Sequence, residues 1–205
     1  MKVGEWMTRQ PVSIEPGTPV ADVYRLMRET GFEGLPVTRD GFLVGVVTPW
    51  DVLKTVMERS PEAGATVSAL LVGDPVSVGE DELLEAAAFL LHRHDFDFLP
   101  VLDRNDRVIG VITKNDLFRA FVAMMGLESP GTRIALLVPD RVGQLAAITA
   151  IVQRHGIGIA SIATLPPRQA RANVVLRVQT TEAKALVDDL MTAGFRVTEV
   201  SQVWA

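Results

Sequence analysis

Two stretches of the chain repeat one order of apolar and polar positions. Residues 35–53 read LPVTRDGFLVGVVTPWDVL and residues 99–118 read LPVLDRNDRVIGVITKNDLF. Each is Leu-Pro-Val, a polar turn, an apolar run entered through glycine, then Thr-x-x-Asp and an amphipathic tail. Pro36 and Pro100 stand 64 residues apart and Asp51 and Asp116 stand 65 apart, so the second copy has one extra residue in its turn. Upstream, Pro11-Val12-Ser13 and Pro75-Val76-Ser77 keep the offset of 64. An internal repeat defines the unit of folding, and this unit predicts a strand, a helix, a hairpin and a helix.

In the first copy the pattern predicts a strand over 12–14, a turn at Pro16-Gly17, and a helix that Thr18 caps with Pro19 at its first position, where a missing N–H costs nothing. Val20, Val23, Tyr24 and Met27 follow i, i+3, i+4, i+7 and define its buried face, and Gly31 ends it. Strands over 35–38 and 43–47 flank Asp40-Gly41, a strong hairpin signal. A helix opens at Thr48 and runs through Met57, and the polar residues 60–64 read as the linker between copies. The second copy predicts a strand over 76–78, a helix over about 81–92, a hairpin over 99–112 with a polar turn at 103–106, and a helix over 115–125.

Met125 to Gly131 breaks the pattern and a different unit follows. Strands are predicted over 133–138, 159–165, 173–180 and 196–203, with helices over 143–155 and about 182–191. In the first of these helices Leu145, Ile148, Ile151 and Val152 share a face, and Gly156 supplies the stop. The order βαββαβ is that of the ferredoxin-like split unit. The expected fold class is α/β (α+β), with a repeat pair over 1–125 (copies about 7–60 and 71–125), a connector over 126–132 and a second domain over 133–205.

Composition narrows the chemistry. Among 205 residues there is no cysteine, which excludes disulfides, thiol catalysis and thiolate metal sites, and the net charge of −5 disfavours a nucleic-acid partner. His92 and His94 are two residues apart and fall on different helix faces, so they are poor joint metal ligands. No apolar run reaches the roughly 18 residues of a membrane span, and residues 1–11 lack the apolar core of a signal peptide, so the expected location is cytoplasmic, with no membrane partner.

The duplicated LPV, hairpin and G-h-h-T-x-x-D elements resemble the CBS motif, and the pair over residues 3–125 resembles a Bateman module. The run Val138-Pro139-Asp140-Arg141-Val142-Gly143-Gln144-Leu145, followed by His155-Gly156-Ile157-Gly158-Ile159, resembles an ACT domain, and the combination is similar to the acetoin-utilisation B type of regulatory protein. The resemblance implies sensing of an adenosine-type ligand such as AMP by the CBS pair, dimerisation or amino-acid sensing by the ACT domain, no obligatory cofactor and no catalysis. It also implies a homo-oligomer, expected to be a dimer, that regulates an unidentified protein.

Thr-x-x-Asp before an apolar helix is a capping box in outline. The functional reading adds that a helix N-terminus attracts phosphate and that a carboxylate accepts from two ribose hydroxyls. In the family each cleft joins the early strand and helix of one copy to the Thr-x-x-Asp of the other. The resemblance therefore assigns Thr18, Phe32, Glu33, Leu35, Thr113, Lys114 and Asp116 to cleft one. Cleft two takes Glu82, Phe96, Asp97 and Leu99 with Thr48, Pro49 and Asp51. Cleft one is the expected site of a phosphate, because Lys114 stands where cleft two has Pro49 and Thr18 where it has Glu82. Both LPV triplets lack a preceding basic or small hydroxyl residue, which favours AMP or adenosine over ATP. In the ACT-like part, Asp140, Gly143, Gln144 and Leu145 form the loop that approaches a small ligand, whereas Gly158 replaces an asparagine frequent in amino-acid-binding members, so dimerisation is the favoured role. The alternative is a structural oligomer with vestigial clefts; an enzyme finds no nucleophile beside a base and no metal set.

Overall fold

The computed structural model describes residues 1–58, 65–71, 73–168 and 170–203, and the expected linker over 60–64 lies outside them. The chain forms two compact units, Met1–Phe118 and Arg119–Ala205.

The first unit opens with α1 (Val3–Trp6) and β1 (Thr8–Arg9), followed by α2 (Val20–Thr30), β2 (Leu35–Arg39), β3 (Phe42–Val47) and α3 (Pro49–Glu58). A 3-10 turn, Val67–Ala69, leads into β4 (Val78–Gly79), α4 (Leu84–His94), β5 (Phe98–Leu102), β6 (Val108–Thr113) and α5 (Lys114–Met124), which crosses the unit boundary. The β2–β3 turn has positive φ at both Asp40 (54°) and Gly41 (85°), as a two-residue hairpin demands.

Four local expectations change. The strand over 12–14 reduces to one parallel bridge, Ile14 to Val37, because Val12 is solvent-exposed and the chain turns again at Pro16-Gly17; likewise the strand over 76–78 shrinks to β4. Thr18 does not cap α2. Pro19 holds the cap position, while the Thr18 hydroxyl accepts from Glu15 N at 3.2 Å and the Thr18 carbonyl accepts from Val67 N at 2.9 Å, which turns the residue away from the helix. Val20, Val23 and Met27 are buried, but Tyr24, at the edge of their stripe, is exposed, with the Arg28 guanidinium 6.0 Å from its ring centre.

The two copies exchange their leading turns. Val3 N donates to Glu82 O at 3.0 Å, Gly4 N to Glu80 O at 2.9 Å, and β1 pairs with β6, so residues 2–9 pack on the second copy. Sixty-four positions on, Val67 N donates to Thr18 O at 2.9 Å and Ser68 N to Pro16 O at 2.8 Å, on the first copy. Val3 and Val67 are both completely buried. Met7 and Leu71 complete the symmetry, because a Cβ added to Gly110 would stand 2.6 Å from Met7 Sδ and one added to Gly45 would stand 2.5 Å from Leu71 Cδ2. Equivalent residues also meet on the pseudo-two-fold axis. Phe42 and Arg107 form a bridge with the guanidinium 4.8 Å from the ring centre, and the Phe98 ring fills the space that a side chain on Gly34 would need.

An ion cluster closes the α1 end of this exchange. Lys2 Nζ lies 2.8 Å from Asp81 Oδ1, and Arg104 Nη2 lies 2.8 Å from Asp81 Oδ2. Hydrogen bonds from Lys2 and then Arg104, reinforced by their charges, lower the Asp81 pKa from 3.8 to about 2. A depressed carboxylate contributes stability that is complete above the unfolded-state pKa and is lost as pH falls towards the folded-state value. Asp81→Asn is therefore expected to flatten the stability of the chain between about pH 4 and pH 2. Denaturant midpoints across that range measure it, and because the group is open to solvent the effect shrinks in high salt.

The second unit contains β7 (Gly131–Pro139), α6 (Gln144–Arg154), β8 (Ile159–Arg168), β9 (Arg171–Val178), α7 (Lys184–Thr192) and β10 (Arg196–Val203). Its antiparallel sheet has the order β10-β7-β9-β8, as βαββαβ predicts. Ile134, Leu136, Val138, Val174, Leu176 and Val178 meet Ile148, Ile151, Val152, Leu186 and Leu190 of the two helices in one core. His155 Nε2 and Asp189 Oδ2, 2.9 Å apart, link α6 to α7. Leu145, expected on the buried face, is 42% exposed. It lies in the first turn of α6, beside the 139–146 loop.

Candidate ligand clefts

The Thr-x-x-Asp elements fold as reciprocal caps. Thr48 N and Oγ1 donate to Asp51 Oδ2 at 2.8 and 2.6 Å, and Asp51 N returns a bond to Thr48 Oγ1 at 3.4 Å. Thr113 and Asp116 repeat the set at 2.9, 2.8 and 3.2 Å. Each box holds its carboxylate at the start of the helix that follows β3 or β6. In the first copy both Thr48 bonds go to Oδ2 and leave Asp51 Oδ1 for another donor. Asp116 is the more deeply set of the two, at 4% exposed.

A cavity of about 300 Å³ opens beside Asp51. Thr48, Asp51 and Val46 form one side, Phe96, Asp97, Phe98, Leu99 and Pro100 face them from the second copy, and Glu33, Leu70, Val76 and Asp95 complete the lining. This cavity collects Thr48, Asp51, Phe96, Asp97 and Leu99 of cleft two, without Pro49 or Glu82 in its wall. The Glu82 carboxylate instead accepts from Gly79 N at 2.9 Å. Phe96 is held by stacking on His94, with ring centres 5.2 Å apart. Four of the lining side chains are carboxylic acids, and none of the described lining residues is Lys or Arg.

Lys114 explains part of that charge. Its Nζ lies 2.8 Å from Asp97 Oδ1 and 3.3 Å from Asp95 Oδ1, and the Asp97 bond chiefly raises the ammonium pKa above its ordinary value, against burial. The cation expected to meet a phosphate is thus engaged by two acids of its own copy. Asp95 is in position because it ends α4 in the left-handed conformation (φ 54°), where the first copy uses Gly31 (φ 71°).

The remaining cleft-one residues are spread among several environments. Phe32 and Glu33 line a second cavity of about 350 Å³ with Tyr24, Met27, Arg28 and Pro49. Leu35 is a core residue, 1% exposed, and the Thr18 hydroxyl is occupied by Glu15 N. In the second unit Asp140, Gly143, Gln144 and Leu145 line one cavity of about 580 Å³ together with Thr164, Leu165 and Pro166. Gly143 takes φ 91° at the start of α6, a conformation that favours glycine. Among the described residues no cluster of three or more His, Asp or Glu is placed to hold a metal ion, and no helix is long and apolar enough to cross a membrane.

Sequence reasoning assigned Glu33 to the other cleft and missed Val46, Leu70, Val76, Asp95, Phe98 and Pro100 in the first cavity. A signal existed for Asp95, which aligns with the helix-ending Gly31 at the repeat offset of 64. Leu70 arrives through the exchange of leading turns, which has no local signature.

Residues 3–58 and 67–123 match the CBS domain family, and residues 130–201 match the TTHA0829-like ACT domain. A homoserine O-acetyltransferase of Methanococcoides burtonii is 32% identical over 118 residues, which are 57% of this chain and 23% of that enzyme. The chain spans less than half the length of the curated relatives it matches. Among solved structures, CBSX2 of Arabidopsis thaliana in complex with AMP is 33% identical, with 59% of this chain and 96% of that one covered at a TM-score of 0.54. An acetoin utilization protein from Vibrio cholerae, 24% identical, shares the fold over 62% of this chain and 94% of that one, with a TM-score of 0.56.

Proposed function

Because the chain belongs to the CBS family, as a domain pair followed by an ACT domain, we propose that it is a cytoplasmic, non-catalytic sensor that binds an adenosine-type ligand in the cavity beside Asp51. The observation that carries this reading is the cavity itself. It brings the Thr48-x-x-Asp51 box of one copy against Phe96 and Leu99 of the other, with a carboxylate oxygen at its edge that is unengaged among the described residues. Asp51 Oδ1 accepts ribose hydroxyls, and Phe96, Val46 and Leu99 give the base an apolar wall. The AMP complex of CBSX2 supports an adenosine-type ligand.

This order of preference reverses the expectation from sequence. Lys114 is neutralised by Asp95 and Asp97, and the cavity at Asp51 is acidic, so it suits a nucleoside better than a phosphate dianion. We assign the sensor to residues 1–125, the connector to 126–132 and the ACT domain to 133–205. Isothermal titration of the full chain with adenosine, AMP and a panel of amino acids tests the assignment. Saturable adenosine binding supports it, whereas response to no adenosine compound favours a structural oligomer, and turnover of any of them would make the protein an enzyme.

We further propose that the chain is a homodimer. Leu53 of α3 and Phe118 of α5, equivalent in the repeat, are both solvent-exposed, as are Trp50 and Phe89. An apolar set of this extent calls for cover, and closed two-fold symmetry is the commonest way to provide it. Light scattering at micromolar concentration is expected to give twice the chain mass; a stable monomer would refute the dimer.

A further inference from the structure

We propose that Arg133 and Arg177 form an oxyanion site on the face of the ACT sheet turned away from α6 and α7. Along β7 and β9 the side chains alternate, and Ile134, Leu136, Leu176 and Val178 point into the helix-covered core, so the two arginines point to the opposite face. They stand directly across from each other in the β7–β9 register. Neighbouring like charges repel, and here both are also withdrawn from water. Arg177 is 5% exposed, and among the described residues its Nη1 is buried without a hydrogen-bond partner; Arg133 Nη1 is also buried, and its one close acceptor is an ion-pair contact outside hydrogen-bond geometry.

The charge around the pair does not balance. Glu199 Oε2 lies 3.0 Å from Arg133 Nη1 and answers that arginine. Among the described residues Arg177 has no ion-pair partner. What lies over it is the chain near Gly126: Ser161 Oγ donates to Met125 O at 2.9 Å, and a Cβ added at Gly126 would stand 3.7 Å from Arg177 Cδ. That segment supplies packing to Arg177 and no acceptor. A buried guanidinium without a counter-charge is strongly unfavourable, and its planar fork is shaped for carboxylate or phosphate oxygens. The Arg133 side chain remains 30% exposed, which leaves a way in from its side for a small anion.

The fitting ligand is a compact oxyanion, either a carboxylate or a phosphate, that receives N–H donors from both arginines. This site is separate from the loop cavity at residues 139–146, because Arg133 and Pro139 are roughly 20 Å apart along an extended strand. It does not depend on the nucleoside reading of the CBS pair.

The test is thermal melting of the full chain in sodium phosphate, sodium acetate and sodium chloride at matched pH and ionic strength. Phosphate, acetate or both are expected to raise the melting temperature above that in chloride. A rise with acetate alone identifies a carboxylate ligand, and a rise with phosphate alone a phosphate. Arg177→Met should remove more than half of the increment and, in chloride, melt no lower than the parent, because it deletes an unanswered charge. General salt effects act on both proteins alike and cancel in the comparison. Glu199→Gln, which leaves a second guanidinium unanswered, should enlarge the increment. An increment that survives intact in Arg177→Met, or fails to grow in Glu199→Gln, overturns the site.

Discussion

Adenosine at 100 times its dissociation constant is expected to raise the melting temperature of the full chain by roughly 5 to 10 °C, and Asp51→Asn to remove most of that rise. Ligand at this excess adds about 2.7 kcal/mol to a folded state that alone binds it, and a chain of about 200 residues gains roughly 2 to 4 °C per kcal/mol. The carboxamide introduced by Asp51→Asn would still accept from Thr48 N, so the cap survives while the charge that holds the ribose hydroxyls is lost. AMP should bind at least about tenfold more weakly than adenosine, equivalent to about 1.4 kcal/mol, because its phosphate enters a lining with Glu33, Asp51, Asp95 and Asp97. A capping role alone gives a different result. Asp51→Asn and Asp116→Asn would then both leave the increment unchanged. The assignment to the Asp51 cavity is refuted if the increment persists in Asp51→Asn and vanishes in Asp116→Asn.

Met7→Ala is expected to destabilise the chain by about 2 to 5 kcal/mol, the range for a buried Met truncated to Ala. Substitutions at exposed positions usually change stability by no more than about 0.5 kcal/mol. Met7 differs because it is 8% exposed and fits against Gly110, where the second copy leaves room for its sulfur. Urea unfolding of Met7→Ala beside an exposed control, Val12→Ala, makes the comparison. Equal midpoints for the two variants would mean that the α1 segment does not dock on β6 in solution.

The repeat, both hairpins, both Thr-x-x-Asp boxes and the βαββαβ order were legible because each is written in local periodicity or turn chemistry. Asp40-Gly41 turns where its dipeptide says it should, and Gly31, Gly156 and the boxes sit at helix ends. What escaped reading depends on contacts between distant residues. Val3 looks like part of a polar terminus, but it is completely buried by partners about 80 residues away. Lys114 looks like a free cation until Asp95 and Asp97 are placed beside it, 17 to 19 residues upstream. Arg133 and Arg177 each read as an ordinary strand residue, and only the register of β7 against β9 puts them side by side.

The exchange of leading turns also sets an order of assembly. During synthesis residues 2–9 emerge before the backbone groups that receive them, which lie on Glu80 and Glu82 and along β6 and follow at least 70 residues later. The first copy likewise waits for Val67 and Ser68 of the second before its own early turn is sealed. A growing chain therefore holds an open form of the first copy until the second has been made, and residues 2–9 take their places after the chain that binds them. Long-range closure of this kind slows folding relative to a chain of locally completed repeats. It also makes the completed pair a single cooperative unit, in which neither copy opens without releasing the opening turn of the other.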